Sequence, residues 1–89
     1  MKLPLDAAGG IRSLGRQLLL AALERTTQRE LARNLSRRCG RKIYQRHISD
    51  ISTGKIISDS YRLRMALWGA CGIHPDAWEQ PDDATRDAA

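Results

Sequence analysis

The chain contains no phenylalanine, and aromatic residues make up only 4% of its 89 positions. Its core must therefore be built mainly from Leu, Ile, Ala and Met, and a domain of this size encloses no large substrate chamber. Cysteine is equally sparse. Cys39 and Cys71 are the only two, far below the density with which small secreted domains staple thin cores, so a reducing, cytoplasmic setting is expected. The longest apolar run covers residues 18–23, bounded by Gln17 and Glu24. That is too short for a spanning helix of about 20 residues or a signal peptide, and no membrane role is expected. Gly9-Gly10 stands alone, without the Lys and the preceding strand of a phosphate-cradling loop. No internal repeat is visible.

Acidic residues are scarce in one place and concentrated in another. The chain carries 15 Lys plus Arg against ten Asp plus Glu, a net +5. Between Arg12 and Arg64 there are 13 basic and four acidic residues, whereas from Asp76 onward five acidic residues face one Arg. A polyanion would be drawn to the middle of the chain and repelled by its end.

Residues 1–10 hold Pro4, Gly9 and Gly10 without a sustained period and read as an N-terminal arm. From Ile11 a helical stripe appears, with Leu14, Leu18 and Ala22 following at three and four. Leu19 and Leu23 widen it, and Arg12, Arg16 and Arg25 fall to the solvent side. The spacing predicts a first helix over 13–25, held by packing because Gly15 lowers its propensity. Thr27 with Glu30 three positions on is a capping-box signature. It opens a second helix whose buried face is Leu31, Ala32 and Leu35. Residues 36–42, with Arg37, Arg38, Arg41 and Lys42 around Cys39 and Gly40, read as a charged loop.

Tyr44, Ile48 and Ile51 form a short apolar stripe for a third helix ending before Gly54. Ser58 is the expected cap of a fourth, with Tyr61, Leu63, Met65, Leu67, Trp68 and Cys71 as its broad apolar face. Gly72 closes it, Pro75 starts a turn around Trp78, and residues 81–89 read as a flexible acidic tail. The expected core includes Leu14, Leu18, Leu31, Leu35, Ile48, Ile51 and Trp68.

A helix exposing Gln and Arg from a basic surround suits the DNA major groove. Gln pairs bidentately with adenine and Arg with guanine, while neighbouring cations neutralise phosphates. Gln45, Arg46 and Ser49 are the base-edge candidates, with His47 beside them. Arg41, Lys42 and Lys55, with Arg37 and Arg38, are the backbone-contact candidates, and Thr27 and Gln28 at the start of the second helix could hold a phosphate.

Several segments carry a family resemblance. Leu14-Gly15, the run Thr27-Gln28-Arg29-Glu30-Leu31-Ala32 and the run Ile48-Ser49-Asp50-Ile51-Ser52-Thr53-Gly54-Lys55 resemble bacterial and phage helix-turn-helix regulators of the Cro and lambda-repressor type. The block Ala70-Cys71-Gly72-Ile73-His74-Pro75-Asp76-Ala77-Trp78 looks like the domain end of a phage-related subgroup, with 18 residues from Gly54 to Gly72. The resemblance covers about residues 13–78. It implies an all-α, compact, four- to five-helix lambda-repressor-like domain over residues 11–80, DNA contacts from Gln28, Gln45, Arg46 and Ser49, and transcriptional repression of phage or mobile-element type. Leu35 to Ile48 spans 13 residues where the family has about seven, so a lengthened turn between the motif helices is expected around residues 36–41. Tyr44 stands where the family often has a small cap. A homodimer is expected, because a palindromic site is read by two copies.

Other constellations are weaker. Cys39, His47, Cys71 and His74 have zinc-ligand chemistry, but their spacing matches no standard finger, so neither metal nor cofactor is expected. Ser49 and His47 do not face each other on a helix, and no enzymatic activity is expected. The competing reading is a protein-binding adaptor, such as an antitoxin or antirepressor, in which the third helix or the arm grips another protein.

Overall fold

Each helix begins at a polar cap and ends where the apolar stripe runs out. The computed structural model describes residues 3–58 and 60–82. Four α-helices follow in order, α1 (Leu14–Ala22), α2 (Gln28–Cys39), α3 (Gln45–Ser52) and α4 (Tyr61–Cys71), and then a 3-10 turn, Pro75–Glu79. Among the described residues there is no sheet, only two isolated bridges, Leu5 with Ile11 and Ser13 with Pro81. The result is a small all-α domain in which α2 packs against both α3 and α4, while α1 packs against α3 and the 3-10 turn.

Ser13 caps α1 by accepting the Arg16 amide at 3.0 Å. The helix stops at Ala22 rather than at 25, because the amides of Glu24 and Arg25 turn back to the carbonyls of Ala21 and Ala22 in a tighter coil. Its buried line is Gly15 and Leu19, with Leu14 and Leu23 half-buried. Leu18, expected in the core, is exposed, and so is Leu20. The helix is seated by the close approach at Gly15, which rotates Leu18 off the inner side.

Thr27 caps α2 by accepting the Glu30 amide at 3.1 Å. Glu30 does not reciprocate to Thr27 as in a full capping box; its carboxylate accepts the Thr26 hydroxyl at 3.3 Å. The helix then continues through the stretch read as a charged loop. Leu31, Leu35 and Cys39 extend one buried line at four-residue steps, with Ala32 beside them. The stretch expected to be a lengthened turn, residues 36–41, is therefore mostly helix, and the connection from α2 to α3 is only residues 40–44. Gly40 ends α2 in the left-handed conformation, φ 69°. Ser36 ties the connection down, donating to the Ala32 carbonyl and accepting the Ile43 amide, both at 2.7 Å.

Ile43 is buried and Tyr44 is 64% exposed, the reverse of the expected anchoring. Tyr44 is the N-cap of α3, Ile43 precedes it, and Ile48 is the fourth helical residue. The pair Ile43 and Ile48, both buried, forms a hydrophobic staple that fixes the angle at which the chain enters α3.

The cap of α4 is Ser60, not Ser58. Leu63, Ala66 and Leu67 form its buried side, while Tyr61, Met65 and Trp68, assigned inward by their hydropathy, point out. Alternation of large apolar residues concealed which three-residue arc faces the core. Arg64 braces both ends of α4, its guanidinium donating to the Ser58 carbonyl and approaching Glu79 at 3.5 Å.

Residues 3–13, which take in most of the expected arm, form a built loop. The Arg12 amide donates to the Pro4 carbonyl and the Asp6 amide to the Gly10 carbonyl, both at 2.8 Å. Asp6 also accepts the amides of Gly10 and Ala8. The loop rests on the end of α3, where the Ile11 amide donates to the Gly54 carbonyl at 2.8 Å. Gly54, at φ 81°, leaves no room there for a Cβ, which would meet Ile11 N at 2.6 Å. Arg16, read as a solvent-side residue, is the hub, donating to Asp6, to the Ile11 carbonyl and to the Ser52 carbonyl. Arg12 pairs with Asp82 through two bonds at 2.9 and 3.0 Å. The rest of the tail assigned to residues 81–89 lies outside the described residues.

Candidate nucleic-acid interface

The outward side of α3 is polar because its apolar residues are spent on the inside. Ile48, Ile51 and Ser52 are buried, and Ile43 supports them from the preceding loop. Arg46 lies opposite them and Gln45 at their flank, both exposed, with Ser49 half-buried between the two. Neither the Gln45 nor the Arg46 side chain makes a hydrogen bond or ion pair among the described residues. Both sit in the first helical turn, the part of a groove-entering helix that reaches base edges. The remaining candidate, His47, is half-buried and lies further round the helix, on the Asp50 side.

The helix is held at both ends. Its start is set by the Ile43–Ile48 staple. At its end the hydroxyls of Ser52 and Thr53 donate to the Ser49 carbonyl, and Arg16 accepts nothing but donates to the Ser52 carbonyl at 2.9 Å. A cation at a helix C-terminus offsets its partial negative charge. The side chains of the first turn are thus carried by a backbone fixed from two other elements.

Three cations lie next to this helix in sequence and are exposed. Arg41 and Lys42 stand in the connection leading into α3, and Lys55 follows Gly54 at its exit. Lys42 Nζ is 5.7 Å from the centre of the Tyr44 ring, so the exposed tyrosine and the ammonium form one amphipathic element beside Gln45. Tyr44 was missed as a surface residue. The signal was present: an Ile immediately before an N-cap and another at the fourth position after it form a staple pattern that frees the cap residue between them.

The structure separates the other predicted backbone contacts from α3. Arg37 lines a groove of about 740 Å³ with Arg25, Arg33 and the end of α4, and no residue of α3 lines it. Arg38 donates to Asn34 Oδ1 at 2.9 Å and lies along α4 beside Tyr61, Arg62 and Met65. The Thr27 hydroxyl oxygen is occupied by the Glu30 amide, and Gln28 is half-buried.

Cys39 is buried, its thiol 3.8 Å from the Arg62 carbonyl. Burial pushes the Cys71 thiol up from its ordinary range, partly opposed by Arg38. No three His, Cys, Asp or Glu side chains gather into a metal-holding group among the described residues. No described helix is long and apolar enough to cross a membrane.

No family model matches this chain, and neither a curated protein nor a solved structure matches it.

Proposed function

We propose that this protein is a sequence-specific double-stranded DNA-binding regulator of the helix-turn-helix kind, with α2 and α3 as the motif helices and α3 entering the major groove. The observation that carries the reading is the first turn of α3. Gln45 and Arg46 are exposed and unengaged there, while Ile43, Ile48 and Ile51 are almost wholly buried behind them. An α-helix with its side chains is about 10–12 Å across, which fits a major groove about 12 Å wide. Gln45 and Arg46 supply the paired donors and acceptors that distinguish bases, with Ser49 as a shorter-range contact. Arg41, Lys42 and Lys55 supply charge for the flanking phosphates.

The resemblance to Cro and lambda-repressor regulators supports the same assignment and adds transcriptional repression in a phage or mobile-element setting. The continuous helix through Cys39 supports it further, since the additional residues lengthen a packed element instead of loosening the connection to α3.

The test is a binding selection from a random duplex library at near-physiological salt, repeated with Gln45→Ala and Arg46→Ala. An enriched motif is expected, with each substitution relaxing one base position at a cost of about 1–3 kcal/mol. A library with no enriched sequence, or a motif indifferent to both substitutions, would overturn base reading by α3 and favour a protein-binding adaptor.

A further inference from the structure

The outer face of α4 has two edges of different chemistry. Tyr61, Met65 and Trp68 stand on it at 71%, 37% and 45% exposure, on the side away from buried Leu63 and Leu67. Their steps of four and three make one line two turns long, with Tyr61 and Trp68 about 10 Å apart along the axis. Beside that line runs a cationic edge. Arg62 is exposed, and its guanidinium meets no carboxylate among the described residues. Arg38 reaches across from α2 with its Nε bonded to Asn34, and its terminal nitrogens lie over Gly69, where a Cβ would be 2.7 Å from Nη1. Both arginines, with Tyr61, Met65 and Ala66, line a shallow groove of about 480 Å³. Helix α4 itself has no acidic residue. Asp76 stands on the other edge, beyond His74, whose ring is 5.1 Å from that of Trp68.

We propose that this face docks an acidic amphipathic helix of another protein, its apolar residues on Tyr61, Met65 and Trp68 and its carboxylates along Arg62 and Arg38. Charge chooses the partner. Two guanidiniums on one edge, with nothing acidic from α4 between them, attract a carboxylate flank and repel a basic one, and Arg can hold each carboxylate through two hydrogen bonds. Asp76 on the opposite edge fixes which way round the partner lies, since it turns the acidic flank towards the arginines. A second copy of this chain would set its own Arg38 and Arg62 against them. Composition points to protein rather than nucleic acid. Tyr, Trp, Met and Arg are the residues enriched where proteins meet, and Tyr, Trp and Arg dominate binding energy there. Two rings about 10 Å apart around a thioether match side chains recurring every three or four residues on a helix, whereas a single strand is held by rings under successive bases. Eleven residues of helix are about 16 Å long, so the contact is small and the complex transient. None of these residues lies on α3, so the proposal stands apart from DNA binding.

The test is a selection against the full chain from a displayed library of helical peptides, with apolar residues fixed at three- and four-residue steps and the flanking positions randomised. Enriched peptides should carry Asp or Glu along one flank. The best of them, made synthetically, should shift the emission of Trp68, since Trp78 is already buried. Replacing its carboxylates by amides should weaken binding about tenfold or more, as should Met65→Asp or Arg62→Glu, both at exposed positions. Arg46→Ala, on α3, should bind the peptide as the parent does. A misfolded variant would also lose binding, so Arg62→Glu is passed through the same selection, where it should enrich Lys or Arg at the flank position that faced residue 62. No enriched peptide, enriched peptides without an acidic flank, or binding unaltered by Met65→Asp and Arg62→Glu would each overturn the proposal. So would a mixed-sequence single-stranded oligonucleotide that displaces the peptide and itself loses binding with Met65→Asp, which assigns the face to nucleic acid. Trp68 emission that shifts with protein concentration alone would assign it to a second copy and overturn the proposal equally.

Discussion

Gly15 lies directly beneath the indole of Trp78. A Cβ on Gly15 would be 3.0 Å from Cε2 and nearer still to Cδ2 and Cε3. Trp78 is completely buried, and its ring joins the 3-10 turn to α1. Gly15→Ala should therefore push the ring out of its seat, an overpacking cost of about 1–3 kcal/mol. Better helix propensity returns only about 1 kcal/mol. Gly69 is the contrasting case, because a Cβ there meets only the movable end of Arg38. In dilute solution, thermal melts should show Gly15→Ala melting lower than the parent and Gly69→Ala melting at the same temperature or higher.

Asp6 and Arg16 should make the loop over residues 3–13 acid-sensitive. The Gly10 amide first, then the Arg16 guanidinium, holds the Asp6 carboxyl below its ordinary 3.8. A carboxyl lowered on folding adds stability that is complete above its unfolded value and disappears as pH falls through the folded value. Protection of the Gly10 and Ile11 amides from hydrogen exchange should fall as pH drops below about 4. Asp6→Asn should show weaker protection at neutral pH and little further loss in acid. Equal acid loss in the parent and Asp6→Asn would remove Asp6 from this role.

Helix positions were legible in this sequence because they rest on local chemistry, such as Thr27 before the α2 stripe or Gly72 after α4. Facing was less legible. Leu18 and Trp68 satisfy an apolar period, but Gly15 beneath Trp78 and the narrow arc of Leu63, Ala66 and Leu67 decide what is buried. Cys39 continued the Leu31–Leu35 spacing, yet four nearby cations and a glycine made its surroundings resemble a loop. The loop at residues 3–13 has no periodicity to detect, since backbone bonds, Asp6 and the distant Arg16 hold it together. For the candidate interface, Gln45 and Arg46 could be read from the polar side of a short stripe. The staple that exposes Tyr44, and the α4 contacts that draw Arg38 aside, depend on which residue is buried next door.

Ile43 and Tyr44 should separate stability from binding. Ile43 is 3% exposed, and Ile43→Ala should cost about 2–5 kcal/mol in urea unfolding by leaving a cavity at the staple. Tyr44→Ala should leave unfolding within about 0.5 kcal/mol of the parent. Under the proposed DNA-binding role, it should still weaken binding to the selected site, because the Lys42–Tyr44 element flanks Gln45. Strong destabilisation by Tyr44→Ala would show that the ring supports the fold.

Arg41, Lys42 and Arg38 lie within five positions of one another in the sequence but face different surroundings. Arg41 and Lys42 are exposed on the approach to α3, whereas Arg38 is bonded to Asn34 and lies along α4. If the α3 side faces duplex, Arg41→Ala and Lys42→Ala should each weaken binding evenly across sequences and lower the dependence of log affinity on log salt by about 1, as expected for one lost phosphate contact. Arg38→Ala should leave that slope unchanged, because its guanidinium is directed to the outer side of α4. Fluorescence anisotropy titrations of one selected duplex and one scrambled duplex at several salt concentrations measure these slopes. A slope that falls with Arg38→Ala and stays constant with Arg41→Ala would place the phosphate track along α4 instead of beside α3.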